Sequence, residues 1–184
     1  MNYAYDNNGS LTTRTDARYT TSYRYGELNR LTGKSYSVGG GNAVTFCYDS
    51  ATVCGGAFVT NGVGRLIQVS NTSSTTRHNS FDAMGRVLSS TQTTPVAGIS
   101  PDPSYVFQYL YDQAWHQRSM TYPSGRQVET RWDAAARADK VSNKQGTAST
   151  PYWEVAQFAA HGAIRDGETG MEQHTGTDDG ELGL

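Results

Sequence analysis

Apolar and polar residues alternate along most of this chain in short runs, and the runs break at clusters of Gly, Asn, Asp and Ser. Val44-Thr45-Phe46-Cys47-Tyr48 and Leu66-Ile67-Gln68-Val69 are typical runs. A period of two places alternate side chains on opposite faces of a strand, so the pattern predicts β structure throughout. At many breaks the same element recurs: one or two aromatics enter a polar turn, and an apolar residue leaves it. The clearest copies are Tyr3-Ala4-Tyr5-Asp6-Asn7-Asn8-Gly9-Ser10-Leu11 and Phe81-Asp82-Ala83-Met84-Gly85-Arg86-Val87. Weaker ones are Tyr23-Arg24-Tyr25-Gly26-Glu27-Leu28-Asn29-Arg30-Leu31, Phe46-Cys47-Tyr48-Asp49, Tyr109-Leu110-Tyr111-Asp112 and Trp132-Asp133-Ala134-Ala135-Ala136-Arg137. A seventh, Phe158-Ala159-Ala160-His161-Gly162-Ala163-Ile164, has lost its Asp.

Each copy reads as a β-hairpin. Tyr3 and Tyr5 are two residues apart and share a strand face. Asp6, Asn7, Asn8 and Gly9 then supply turn chemistry, through side chains that bond nearby amides and residues that tolerate positive φ. Aromatics at matching places in successive hairpins are expected to form a cross-strand ladder, each pair adding roughly 0.2–1 kcal/mol. The last aromatics fall at positions 5, 25, 48, 81, 111, 132 and 158, in steps of 20, 23, 33, 30, 21 and 26 residues. Such uneven steps predict a string of hairpins rather than a solenoid of fixed rung length. The long steps coincide with loop-like stretches, Val53 to Val63 and Thr93 to Ser104, where surface loops absorb length.

The recurring Asp and Arg invite a catalytic reading. A catalytic constellation, however, is needed once in one place, whereas Asp82 and Arg86 have counterparts in several copies. Other copies have lost them: Gly26 stands at the Asp position of the second, and Ala136 at the Gly position of the sixth. The expected role is an ion pair or turn cap closing each hairpin, and no catalytic, cofactor or metal site is expected. No Gly-x-Ser-x-Gly elbow or HExxH is present. His78, His116, His161 and His174 are scattered, and Gly39-Gly40-Gly41 lacks the Lys-Ser/Thr of a phosphate loop.

Composition fits a strand-and-turn protein, with 12 Tyr and 20 Gly in 184 residues and hydrophobic content of only 36%. Fifteen Lys and Arg against 17 Asp and Glu leave a net charge of −2, with no basic patch of the kind that tracks nucleic acid. No run approaches the ~20 apolar residues of a membrane span. The chain enters repeat sequence at Tyr3 with no signal peptide, which is expected of a piece of a longer protein. Cys47 and Cys54 flank the third turn, either as a disulfide formed in an oxidising compartment or as unlinked thiols. Residues 1–164 form the expected array; residues 165–184 are Gly-rich and acidic and are expected to be a disordered or non-native tail.

Tyr-x-Tyr-Asp-x-x-Gly-x-Leu and Phe-Asp-x-x-Gly-Arg-Val resemble the YD repeat of the RHS (rearrangement hotspot) family, which includes the C component of insecticidal toxin complexes and the shell region of teneurins. The resemblance covers roughly residues 3–164. It implies an all-β fold in which repeated antiparallel hairpins form a strip of a spiralling shell. The structural repeat positions are then Tyr3, Tyr5, Asp6, Gly9, Tyr23, Tyr25, Tyr48, Asp49, Phe81, Asp82, Gly85, Arg86, Tyr109, Tyr111, Asp112, Trp132, Asp133 and Arg137. In bacterial members the shell encloses a C-terminal toxin domain; in teneurins it serves adhesion at the cell surface. The resemblance therefore implies, as partners, the remainder of a shell and an enclosed effector, in a secreted or surface protein. Bacterial members also cleave their chain at an Asp-Pro-rich plug, but Asp102-Pro103 sits mid-chain without that context and is given no such role. The competing expectation is an adhesion module that binds cell-surface glycans or proteins, with Trp115, Trp132 and Trp153 as contact residues.

Overall fold

The computed structural model describes residues 1–38, 43–49 and 58–169. It contains fourteen strands: β1 (Asn2–Tyr5), β2 (Leu11–Thr15), β3 (Thr20–Tyr25), β4 (Leu31–Tyr36), β5 (Val44–Tyr48), β6 (Leu66–Ser70), β7 (Thr75–Phe81), β8 (Val87–Thr93), β9 (Ser104–Tyr111), β10 (Gln117–Thr121), β11 (Gln127–Trp132), β12 (Ala138–Gln145), β13 (Ala148–Phe158) and β14 (Ile164–Thr169). No described residue is helical. Internal packing divides the chain into two units, Met1–Tyr109 and Leu110–Leu184. In each, strands pair antiparallel with their neighbours in sequence, as expected of a hairpin string.

The hairpin turns share one geometry. Their first residue donates its N–H to the C=O of the fifth, and the N–H of the fourth returns to the C=O of the first. In the fourth copy these are Asp82 to Arg86 at 2.9 Å and Gly85 to Asp82 at 3.0 Å. The fourth residue takes positive φ: 79° at Gly9, 55° at Asn29, 91° at Gly85, 61° at Ala136 and 87° at Gly162. This is a tight turn completed by a left-handed residue, which twists the flanking strands correctly for pairing. The register shifts just before the last aromatic, so Tyr5 faces Leu11, Tyr25 faces Leu31, Phe81 faces Val87, Trp132 faces Ala138 and Phe158 faces Ile164. A bulge at the same place in each hairpin re-aims the ring.

Within the first unit, motif turns join β1 to β2, β3 to β4, β5 to β6 and β7 to β8, so they lie along one rim. The opposite rim carries the tight turns Asp16–Tyr19 and Asn71–Ser74, with longer connections between β4 and β5 and between β8 and β9. In the second unit the turns 112–116, 133–137 and 159–163 likewise share a rim, while Tyr122–Arg126 turns at the other end. The long step after Tyr111's predecessor, Phe81, comes from the β8–β9 loop, as its Pro-rich sequence predicts.

The third turn is expanded, and here the structure departs from a plain surface loop. Residues 58–64 fold back on the sheet: Phe81 donates its N–H to the Thr60 carbonyl at 3.1 Å, and Asn61 Nδ2 donates to the Phe81 carbonyl at 3.0 Å. Val59 is thereby buried with Cys47, Ile67 and Phe81, and Val87 packs against them. These four are the buried apolar side chains among the described residues. A flat sheet cannot enclose its own side chains, so the one core of the first unit forms where extra chain covers it. Gly62 suits this close approach, because a Cβ there would lie 3.0 Å from the Asp49 carbonyl oxygen and 3.1 Å from Val59, so the backbone or Val59 would have to shift to admit it.

β14 runs to Thr169, beyond the array boundary expected at residue 164; residues 170–184 lie outside the described residues. Cys47 is buried and is not a free thiol, while Cys54, its expected partner, lies outside the described residues.

Candidate functional site

The motif positions converge on the turn rim. Asp6 Oδ1 accepts the N–H groups of Asn8 at 2.9 Å and Ser10 at 2.8 Å. Asp112 does the same for Ala114 and His116, and Asp133 for Ala135 and Arg137. The carboxylate thus caps its own turn by satisfying amides that the tight geometry leaves unpaired. Where the fifth residue is basic, the second carboxylate oxygen binds it: Arg86 Nε donates to Asp82 at 2.6 Å, Arg137 Nη2 lies 2.7 Å from Asp133, and His116 Nδ1 lies 3.0 Å from Asp112. The Arg137 amide and then its guanidinium hold the Asp133 carboxyl below the usual carboxylate range.

The same basic residues have a second use that the ladder expectation lacks. Four residues at this position, Arg30, Arg65, His116 and Arg137, lie over the motif ring of the next hairpin. The guanidinium carbon of Arg30 sits 4.5 Å from the Tyr48 ring centre, that of Arg65 5.5 Å from Phe81, and that of Arg137 3.8 Å from Phe158. His116 stacks on Trp132 with centres 4.5 Å apart and planes inclined by 17°. A cation over an aromatic face gains about 0.5–1 kcal/mol at an exposed site. These four rungs join a basic side chain to the ring of the next hairpin, all in one direction along the chain. In the first copy Ser10 replaces the cation and its hydroxyl donates to Asn29 Oδ1 at 2.8 Å. Tyr25 completes that link by donating its hydroxyl to the Leu11 carbonyl at 3.0 Å.

The second and third copies show how the pattern adjusts. Gly26 offers no carboxylate, so Arg30 reaches forward and binds both oxygens of Asp49. Arg30 first, and then the Gly64 N–H, draw the Asp49 carboxyl down to about 2. With Asp49 taken, Arg65 donates instead to the Asn61 carbonyl at 3.1 Å and the Gly85 carbonyl at 3.4 Å.

The remaining repeat positions are less uniform. Tyr3 and Tyr5 are exposed on β1, whose outer edge has no strand partner among the described residues. Tyr23 lies opposite Lys34, the Tyr109 and Ser90 hydroxyls are 3.2 Å apart, and Tyr111 lines a concave surface in the second unit. Of the three tryptophans, Trp132 is held in the stair, with its indole N–H donated to the Gln117 carbonyl at 3.1 Å. Trp115 occupies the left-handed turn position at φ 71° and is largely exposed. The forward contacts of Arg30, Arg65 and His116 were missed in the sequence. The signal was present, since the residue just before the strand that follows the turn is basic in five copies: Arg30, Arg65, Arg86, His116 and Arg137.

The concave surface of the second unit encloses about 620 Å³ and is polar. Arg118, Ser119, Glu129, Arg131, Lys140, Ser142, Lys144 and Ser149 contribute. Its charges are knitted across strands, Lys144 to Glu129 at 2.6 Å, Lys140 to Glu154 at 2.8 Å, and Arg131 to Asp139 at 2.9 Å and Glu154 at 3.0 Å. Among the described residues, no group of three or more His, Cys, Asp or Glu is placed to hold a metal ion, and no helix is long and apolar enough to cross a membrane.

This architecture defines the chain as an open antiparallel hairpin strip of the kind found in toxin-complex proteins. The Tc holotoxin pore of Photorhabdus luminescens aligns with 91% of this chain at 15% identity and a TM-score of 0.73. The crystal structure of TcdB2-TccC3 aligns with 88% at 14% identity and a TM-score of 0.71, and TcdB2-TccC3 without its hypervariable C-terminal region gives 13% and 0.70. In each case the chain spans only 9% of the length of the protein it matches. At these identities the likeness shows the fold, and it supports the RHS/YD-repeat relationship carried by the motifs. No family model and no curated protein matches the sequence.

Proposed function

We propose that this chain is a stretch of wall: a non-catalytic segment of an RHS/YD-repeat shell that encloses or displays a C-terminal effector domain in a secreted or surface protein. The observation that carries this reading is the stair of basic side chains on rings, in which the rings of four hairpins, Tyr48, Phe81, Trp132 and Phe158, are each covered by a residue of the turn before. A motif of this kind completes itself only by adding neighbours. Its Asp and Arg are spent on turn caps and rung contacts, repeated along the rim, rather than gathered at one reacting centre. The small core agrees, since four buried apolar side chains are few for the described residues, and a sheet strip of this kind gains its stability mainly from nearest-neighbour contacts. The partners in this reading are further hairpins at the strand edges and the enclosed domain.

The reading is tested on the full chain by analytical ultracentrifugation across a hundredfold range of concentration. Exposed edges predict association that deepens with concentration and is reduced by Tyr3→Lys and Tyr5→Lys on β1. A stable monomer at every concentration, unfolding in a single cooperative transition, refutes it.

A further inference from the structure

Asn is followed by Gly at two places in the first unit, Asn8-Gly9 and Asn61-Gly62. This pair carries a chemistry of its own. The glycine amide nitrogen can attack the side-chain carbonyl carbon of the asparagine, because no Cβ on the glycine obstructs the approach. A C–N bond forms and closes a five-membered succinimide. The side-chain nitrogen leaves as ammonia, taking the amide proton with it. Water then opens the ring at either carbonyl, giving aspartate or its β-linked isomer, and nothing is oxidised or reduced.

Asn61 differs from Asn8 in what its side chain holds. Its Nδ2 donates to the Phe81 carbonyl at 3.0 Å, and the Phe81 N–H donates to the Thr60 carbonyl at 3.1 Å. These two bonds keep residues 58–64 on the sheet and Val59 in the core. The attacking nitrogen is engaged as well, since Gly62 is buried and donates its N–H to the Val59 carbonyl at 3.1 Å. With the turn closed, the carbon to be attacked is pinned to one strand and the nucleophile is bonded elsewhere. The exposed Asn8 side chain has no such tether among the described residues.

The product cannot replace Asn61. A carboxylate has no proton to donate, so the Phe81 carbonyl loses its partner and meets a negative oxygen instead. Arg65, whose Nε donates to the Asn61 carbonyl at 3.1 Å, offers the new charge a competing partner. The β-linked isomer also adds a carbon to the main chain, where even a Cβ on Gly62 would lie 3.1 Å from Val59.

We propose that Asn61-Gly62 is a deamidation site that works as a one-way latch on the expanded third turn. It is guarded while the turn is closed and reacts when the turn opens. Once converted, it no longer fastens the turn to Phe81. Where opening and closing outpace the chemistry, the observed rate is the intrinsic rate scaled by the open fraction. The proposal concerns bonds within the first unit and does not rest on the shell reading.

The test incubates the full chain in mildly alkaline buffer, with and without denaturing urea, and follows conversion at Asn8 and Asn61 by peptide mass spectrometry. In urea the two sites should react at similar rates. In buffer Asn61 should slow at least tenfold relative to urea, and more than Asn8 does. Val59→Ala, which weakens the closed turn, should speed Asn61 in buffer at least threefold and leave Asn8 unchanged. In hydrogen exchange, Asn61→Asp should lower protection of the Phe81 N–H at least tenfold, whereas Asn8→Asp should not. Equal rates at Asn61 in buffer and urea, a rate indifferent to Val59→Ala, or unchanged Phe81 protection in Asn61→Asp overturns the proposal. The rate measurements need no variant at position 61, so they decide the matter even if Asn61→Asp fails to fold.

Discussion

Val59 and Phe58 are adjacent in the expanded third turn, yet their truncations should differ several-fold in cost. Val59 is 1% exposed, against Cys47, Ile67 and Phe81, whereas Phe58 is 78% exposed. Val59→Ala removes two buried carbons, about 0.8 kcal/mol each in transfer, and leaves a cavity whose lining cannot fully collapse. The total is roughly 2 kcal/mol. Phe58→Ala takes away a ring that water already surrounds and should cost less than about 0.5 kcal/mol. With a urea m-value of about 2 kcal/mol/M, Val59→Ala shifts the midpoint down by about 1 M and Phe58→Ala barely moves it. The natural probe separates the units: every tryptophan lies beyond residue 110, so tryptophan fluorescence follows the second unit, and the β-sheet circular dichroism signal includes the first. The shift should appear in dichroism and be muted in fluorescence. Equal midpoints for the two variants would show that the fold-back turn contributes no core, and the account of the first unit would fail.

Three further outcomes follow from the rim. Ala136 holds φ 61°, which an L side chain adopts at a cost of about 1–2 kcal/mol, so Ala136→Gly should raise stability by about 1 kcal/mol in thermal unfolding; a loss would count against the strained-turn argument. A double-mutant cycle on Arg137→Ala and Phe158→Leu should give a coupling of about 0.5–1 kcal/mol, and a coupling near zero would remove the stair as a source of stability. Asp49 has its pKa lowered from 3.8 to about 2, so its contribution is complete above pH 3.8 and is lost as pH falls toward 2. The stability gap between wild type and Asp49→Asn should accordingly close across that window in acid titrations, and a gap that widened on acidification would contradict the sign.

The hairpin plan was legible because each turn writes its chemistry locally. Asp6 and Gly9, or Asp82 and Gly85, name the capping carboxylate and the left-handed residue within four positions. Degenerate copies were harder. Asn29, Trp115 and Ala136 take the left-handed position without Gly, because pairing of the flanking strands imposes a backbone that the residue alone would not choose. The recurring basic residue was there to be read, but its direction was hidden for a different reason. Whether Arg30 turns back to its own hairpin or forward to Asp49 depends on a carboxylate more than twenty residues from Gly26, a fact of register rather than of local sequence. The sequence marked the insertion as a surface loop, but the burial of Val59 depends on Phe81 and Ile67, which only the sheet brings together. Nothing in the alternation of Gln127 to Gln145 announced that Glu129, Lys140, Lys144 and Glu154 would meet on one face.

The exchange of partners at the second and third turns ties two irregularities of this chain to one cause. Because Gly26 carries no carboxylate, Arg30 occupies Asp49, and because Asp49 is occupied, Arg65 is released. The released guanidinium is what fastens the expanded turn, through the Asn61 carbonyl on one side and the Phe81 ring on the other. A missing side chain in one rung and a surplus of residues in the next are thus halves of a single compensation. Restoring the acid at position 26 would be expected to call Arg30 home, return Asp49 to Arg65, and loosen the very segment that gives the first unit its core.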